Sequence, residues 1–290
     1  MRCASVRQPW RKSTVSRLPA SRLIQFVKRV CSLSIRLGRP ERLRIYLDRS
    51  GLAVCVVTGR FRPVVRSKAI LPSTISDCDA THSVSAALAA LTTWLHTHPF
   101  RSSIEWVIGI DHVRYLLLPW DERLSSHSFC HTLAAALFAQ QSTASDIPLS
   151  AYQMRFAPRS FGQPLLAALI PSEVIGEITA FASRHQCRTR RITPALSVVW
   201  DRFFVRIKND SGVLALVEGQ RLLRVTYDHG HVTSLFVQPF SGERTPAIPG
   251  GVTLAFPAQN LTMPANGDLT LQGLAPDDDA RFAYALCGVF

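Results

Sequence analysis

From residue 40 onward, short apolar runs of strand length alternate with longer segments that have helical spacing. Residues 43–47 and 52–57 are apolar runs either side of the turn Asp48, Arg49, Ser50, Gly51, and a third run covers 63–71, which predicts a three-stranded meander. Val84, Ala87, Leu88, Leu91, Trp94 and Leu95 then recur at i, i+3, i+4, i+7, the period of one helix face. Two more strands are predicted at 104–110 and 113–118, meeting at Asp111 and His112, and next to them a helix over 126–141 with Phe129, Leu133, Ala136 and Leu137 on one side. Beyond it come a strand at 165–170, a helix at 172–185 with Val174, Ile175, Ile178 and Phe181 inward, a short strand at 190–193, and a helix opened by Pro194. A second meander is predicted at 213–217, 221–227 and 232–239, with turns at Glu218, Gly219 and at Asp228 to Gly230. The remainder is rich in Pro, Gly and Asn, with short strands expected at 252–256 and 268–274.

The segment before residue 42 differs in kind. Twelve Lys and Arg against one acid, Glu41, give residues 1–44 a net +11 of the chain's +13, so the body is close to neutral and the basicity belongs to an arm. Within it, 21–37 places Leu23, Phe26, Val27, Val30, Leu33 and Leu37 on one helical face and Arg22, Gln25, Arg29, Ser32 and Arg36 on the other. Such a helix can lie on an anionic membrane surface, pack on its own domain, or belong to a poorly ordered extension. A composition 47% hydrophobic and 18% charged over 290 residues excludes disorder throughout, and no period of 20 to 50 residues recurs. No run of 18 apolar residues is present, and seven scattered cysteines without a CxxC pair or a cleavable apolar leader fit a reduced, cytoplasmic protein.

Three strands, helix, strand, helix is the order of an RNase H-like half-unit, and the second meander is what its duplication requires. The stretch Trp106, Val107, Ile108, Gly109, Ile110, Asp111, His112, Val113, Arg114, Tyr115, Leu116, Leu117, Leu118, Pro119, Trp120 with its Ala-rich helix resembles the actin-like proteins of type IV pilus assembly (PilM) and the cytoplasmic part of the type II secretion component GspL. Gly162 to Ala168 and Thr193 to Leu196 are similar to the succeeding segments of those proteins, so the resemblance spans roughly 42–240. It implies an actin-like, duplicated α/β fold with mixed five-stranded sheets and an abbreviated second half. The implied division is an arm at 1–41, a first lobe at 42–150 and a second lobe at 151–290. It further implies a non-enzymatic cytoplasmic scaffold, peripheral to the inner membrane, whose partners are inner-membrane pilus or secretion proteins.

In that superfamily two β-turns hold nucleotide phosphates, and some members bind ATP with Mg²⁺. Asp48 and Gly51 form the first candidate turn, but the Asp-to-Gly spacing is one residue too long and no Lys comes after it; Glu218 and Gly219 stand at the second, and Gly250 and Gly251 are candidates for the adenosine side. These are degenerate nucleotide-site candidates, so no resident cofactor is expected. A nucleotide-binding ATPase is the competing reading, and a nucleic-acid-binding protein using the arm is a third, disfavoured by the neutral body. Asp48 and Asp111 end strands as nuclease carboxylates do, but the helix between them supplies no acid. His96, Thr97, His98, Pro99 lacks the acid and Ser a zinc protease needs downstream, and His127, Cys130 and His131 lack a fourth ligand. Arg22, Leu23, Phe26, Val27, Arg29, Val30 and Arg36 are the candidate membrane or partner residues of the arm. Arg114, Tyr115, Pro119 and Trp120 are expected to form a structural junction, with Trp120 packed on the helix from Ser126.

Overall fold

The computed structural model describes residues 41–59, 61–73, 80–141, 147–240, 252–257, 274–275 and 277–289. The amphipathic segment of the arm, Gly250, Gly251 and all but the last residue of the strand expected at 268–274 lie outside them.

Strands β1 (Glu41–Asp48), β2 (Gly51–Thr58) and β3 (Val64–Pro72) form the expected antiparallel meander. Helix α1 (Ala80–Thr97) carries the chain back so that β4 (Ser103–Ile108) runs parallel to β1, Leu43 opposite Ile104 and Leu47 opposite Ile108. The chain then leaves this sheet. A 3₁₀ turn (Ile110–His112), β5 (Arg114–Leu118), α2 (His127–Gln141), β6 (Tyr152–Phe156) and β7 (Leu165–Pro171) build a separate three-stranded antiparallel sheet in the order β5-β7-β6. Helix α3 (Ser172–Arg184) returns it, and β8 (Arg188–Pro194) pairs parallel with β4 to complete a five-stranded sheet, β3-β2-β1-β4-β8.

The first lobe therefore draws on residues well past 150, where the sequence placed its end; 109–171 is an insertion within it. Sheet membership depends on which edge a strand finds, and chain order does not encode that. Helix α4 (Ala195–Asn209) leads into the second meander, β9 (Ser211–Glu218), β10 (Arg221–Asp228) and β11 (His231–Pro239), and β12 (Val252–Phe256) lies parallel to β9. This sheet has four strands among the described residues, not five, in the order β11-β10-β9-β12. Neither helix α5 (Arg281–Leu286) nor β6 is predicted by the sequence pattern.

Burial explains the layering. One face of the first sheet is covered by α1 and α3, through Val84, Leu88 and Leu91 and through Val174, Ile178 and Phe181. The other face, with Tyr46, Cys55 and Val107, shares one apolar core with α4, α5 and the inner face of the second sheet. Because β2 is covered on both sides it reads as a continuous apolar run, and β1 does so apart from Arg44. Arg44 crosses this core: it pairs with Glu105 at 2.6 Å and donates to the carbonyls of Ala285 (2.9 Å) and Cys287 (2.6 Å), satisfying the end of α5.

Candidate functional site

Two turns of opposite lobes meet at the end of β4. The first joins β1 to β2. Asp48 there folds back on its own turn, its Oδ1 accepting from the Ser50 amide (2.8 Å) and the Ser50 hydroxyl (2.7 Å). Gly51 has φ +140°, and a Cβ at that position would stand 2.2 Å from the Leu71 carbonyl, so only glycine closes this hairpin against β3. Arg281, at the start of α5, donates to the Ser50 hydroxyl at 3.0 Å.

The second turn joins β9 to β10, with Gly219 at φ +56°. Glu218 points inward from it, and its Oε2 accepts from the Ile110 amide at 2.6 Å. Arg221, on the far side of the turn, donates to Asp111 Oδ1 at 2.7 Å. Two bonds thus tie the second lobe to the turn after β4. The packing there leaves no slack: a Cβ on Gly109 would lie 2.7 Å from Glu218 Oε2, 2.9 Å from the Leu47 carbonyl and 3.1 Å from the Tyr46 hydroxyl. Tyr284 of α5 stacks on Tyr46 at 4.7 Å and donates towards the carbonyls of Val217 (2.7 Å) and Phe256 (3.1 Å).

Electrostatics follow from enclosure. Burial pushes the Glu218 carboxyl up to about 8, opposed by the Ile110 amide and the Tyr46 hydroxyl and reinforced by Asp48 and Asp111. Burial likewise raises Asp48, tempered by Ser50, and raises the Tyr46 and Tyr284 hydroxyls, while it lowers His112. The Ile110 amide is bonded to Glu218, the Ser50 amide to Asp48, and Asp111 to Arg221, so part of the polar complement of the two turns is engaged within the chain. Of the sequence candidates, Asp48, Gly51, Glu218 and Gly219 do come together; the partners that explain them, Ile110, Asp111 and Arg221, are not identifiable as partners from spacing.

Elsewhere the structure separates residues that spacing groups together. Cys130 is buried with its thiol directed to the Leu124 carbonyl, whereas His127 and His131 are exposed, 4.4 Å apart and each edge-on to Phe156. His98 stacks on Trp94 at the exposed end of α1. On β5, Arg114 and Tyr115 do take opposite faces: Arg114 lies 5.0 Å over Phe138 of α2, and Tyr115 faces the shared core. Trp120 does not pack on α2. Its indole meets the edge of Phe161, a residue 91% exposed, because the buried face of α2 is already filled by Cys130, Ala134 and Phe138 against β5 and β7. Pro119 is exposed just past the end of β5.

A second feature is not legible as a site in the sequence. A groove of about 550 Å³ opens between the inserted sheet, α4 and the β10–β11 turn. Leu166, Leu196, Trp200 and Phe204 are among its apolar lining, and Arg155, Lys208, His229 and His231 add cationic or titratable groups against one acid, Asp201. The one hint in sequence is on α4, where Phe204 and Val205 depart from the buried stripe and stand exposed.

The two packed sheets, with meanders in both halves, define an actin-like fold. The cytoplasmic domain of EpsL, an inner-membrane component of the type II secretion system of Vibrio cholerae, superposes with a TM-score of 0.50 at 10% identity, over 84% of this chain and 92% of that one. A Bacteroides thetaiotaomicron protein with an actin-like ATPase fold and unknown function matches with TM-score 0.47 at 9% identity (72% of this chain, 74% of that one). A chain of the PilM–PilN type IV pilus biogenesis complex matches with TM-score 0.47 at 12% identity, over 69% of this chain and 62% of its own length. No protein-family model and no curated protein matches the sequence. No helix among the described residues is long and apolar enough to cross a membrane.

Proposed function

We propose that this chain is a non-catalytic adaptor, working at the cytoplasmic face of the inner membrane in a type IV pilus or type II secretion platform and holding a partner protein in the groove beside α4. The observation that carries the reading is that groove, an open apolar trough with a cationic rim, standing next to turns whose polar groups are spent on each other. Its lining suits an extended segment with large apolar side chains and an acidic group. Neither Arg155 nor Lys208 has an ion-pair partner among the described residues, so a carboxylate of the partner meets a free cation. The basic arm would add attraction to anionic lipid, about 1 kcal/mol for each Lys or Arg held near the surface.

Fluorescence anisotropy with labelled peptides from the cytoplasmic segments of single-span platform proteins tests the reading. At least one peptide is expected to bind, with Phe204→Glu and Lys208→Glu each weakening it tenfold or more, and the protein is expected to show no Mg²⁺-dependent ATP turnover. Binding that ignores both substitutions, or turnover abolished by Asp48→Ala, would overturn it.

A further inference from the structure

Glu218 is a carboxyl buried to 4% exposure that bridges the lobes through the Ile110 amide, while its second oxygen, Oε1, has no hydrogen-bond partner. The groups facing it are acids or neutral hydroxyls on every neighbouring element: Tyr46 and Asp48 on β1, Asp111 on the 3₁₀ turn, Tyr115 on β5 and Tyr284 on α5. The cations nearby are committed, Arg221 to Asp111 and Arg281 to Asp279 and Ser50. A negative charge on Glu218 would therefore be enclosed, supported only by the Ile110 amide and the Tyr46 hydroxyl and repelled by two aspartates.

We propose that Glu218, backed by the Arg221–Asp111 pair, is a proton-dependent latch between the two lobes, closed while Glu218 keeps its proton and loosened when that proton passes to solvent. Closure in this protein is then set by proton occupancy at a position where an intramolecular carboxyl takes the amide an external anion would otherwise use. The direction of its pKa supports the sign. A carboxyl raised from its ordinary range to about 8 binds a proton more tightly in the closed protein, so the proton's contribution to closure is full only below the ordinary carboxylate range, declines as pH rises from there through neutrality, and is gone once pH passes about 8. The latch stands on the turns alone and does not need the groove to bind a partner.

Hydrogen exchange in the full chain, corrected for the intrinsic pH dependence of amide exchange, reads the latch at Ile110. Between pH 6 and pH 9 the wild-type Ile110 amide is expected to lose tenfold or more of its protection, and Glu218→Gln, which mimics the protonated carboxyl, to change by less than twofold. Arg221→Gln should lower protection at both pH values while keeping the pH dependence. An equal loss in wild type and Glu218→Gln, or no loss in wild type, overturns the proposal. Should the glutamine variant fail to fold, carbon-labelled glutamate in the wild type decides by NMR: a buried carboxyl titrating near 8 sustains the latch, and the absence of any glutamate titrating above 6 ends it.

Discussion

The turn pair at the end of β4 and the groove beside α4 both sit where the second lobe meets the first, yet they are opposites in what their polar groups do. At the turns three polar groups are engaged within the chain: Glu218 with Ile110, Arg221 with Asp111, and Asp48 with Ser50. At the groove, Arg155 and Lys208 face open space over an apolar floor. A site whose groups satisfy each other contributes to the fold, and one whose groups wait contributes to binding. Substitutions at the turns should therefore register as stability, and those in the groove as affinity.

The sharpest way to break that contrast is Tyr284→Ala. It removes a ring stacked on Tyr46 and a hydroxyl that serves the carbonyls of Val217 and Phe256, all buried. Deleting a fully buried aromatic costs about 3–5 kcal/mol, and denaturant unfolding should show a loss of that size. A loss below about 1 kcal/mol would mean that α5 does not cement the lobes. Next in size is Gly109→Ala. Its backbone is extended, with φ −70°, so the added methyl acts by volume alone, pressing on Glu218 Oε2 and the Leu47 carbonyl. Overpacking of this kind costs about 1–3 kcal/mol, and it should also flatten the pH dependence of Ile110 protection, because the methyl displaces the carboxyl that carries it.

Legibility in the sequence divides along the same line. The two meanders and α1, α3 and α4 are readable because each has a local period or a turn, and the parallel pairing of β1 with β4 comes from their order. Strand β6 is not readable: Tyr152, Gln153, Met154, Arg155 and Phe156 offer only five residues, at a sheet edge, with polar Gln153 and Arg155 breaking any apolar run. Helix α5 is hidden for the opposite reason, since Phe282, Ala283, Tyr284, Ala285 and Leu286 are buried all round and leave no polar face to reveal a period. Glu218 and Gly219 stand out in the sequence as an imperfect turn. What the imperfection is for requires Ile110, 108 residues away, to be in place. The groove needs four distant segments brought together, and Trp120 looks like its neighbour's core because sequence does not show that α2 is already filled.

The smallest expected effect is the one that tests the groove as surface. Phe204 is 44% exposed on α4 and Val205 beside it 76%, while Phe203, one position earlier, is buried against Phe256 at 6.0 Å between ring centres. A helix places adjacent residues about 100° apart, so this single step carries the side chain from the shared core to the trough. Phe204→Ser should then lower stability by about 1 kcal/mol or less, the range of a half-exposed position with little buried area to lose, whereas Phe203→Ser should lower it several times as far. Measured side by side by urea unfolding, the two variants decide whether the trough is an open face or part of the core. A loss for Phe204→Ser equal to that of Phe203→Ser would place the groove in the fold's own packing and leave the adaptor without its docking surface.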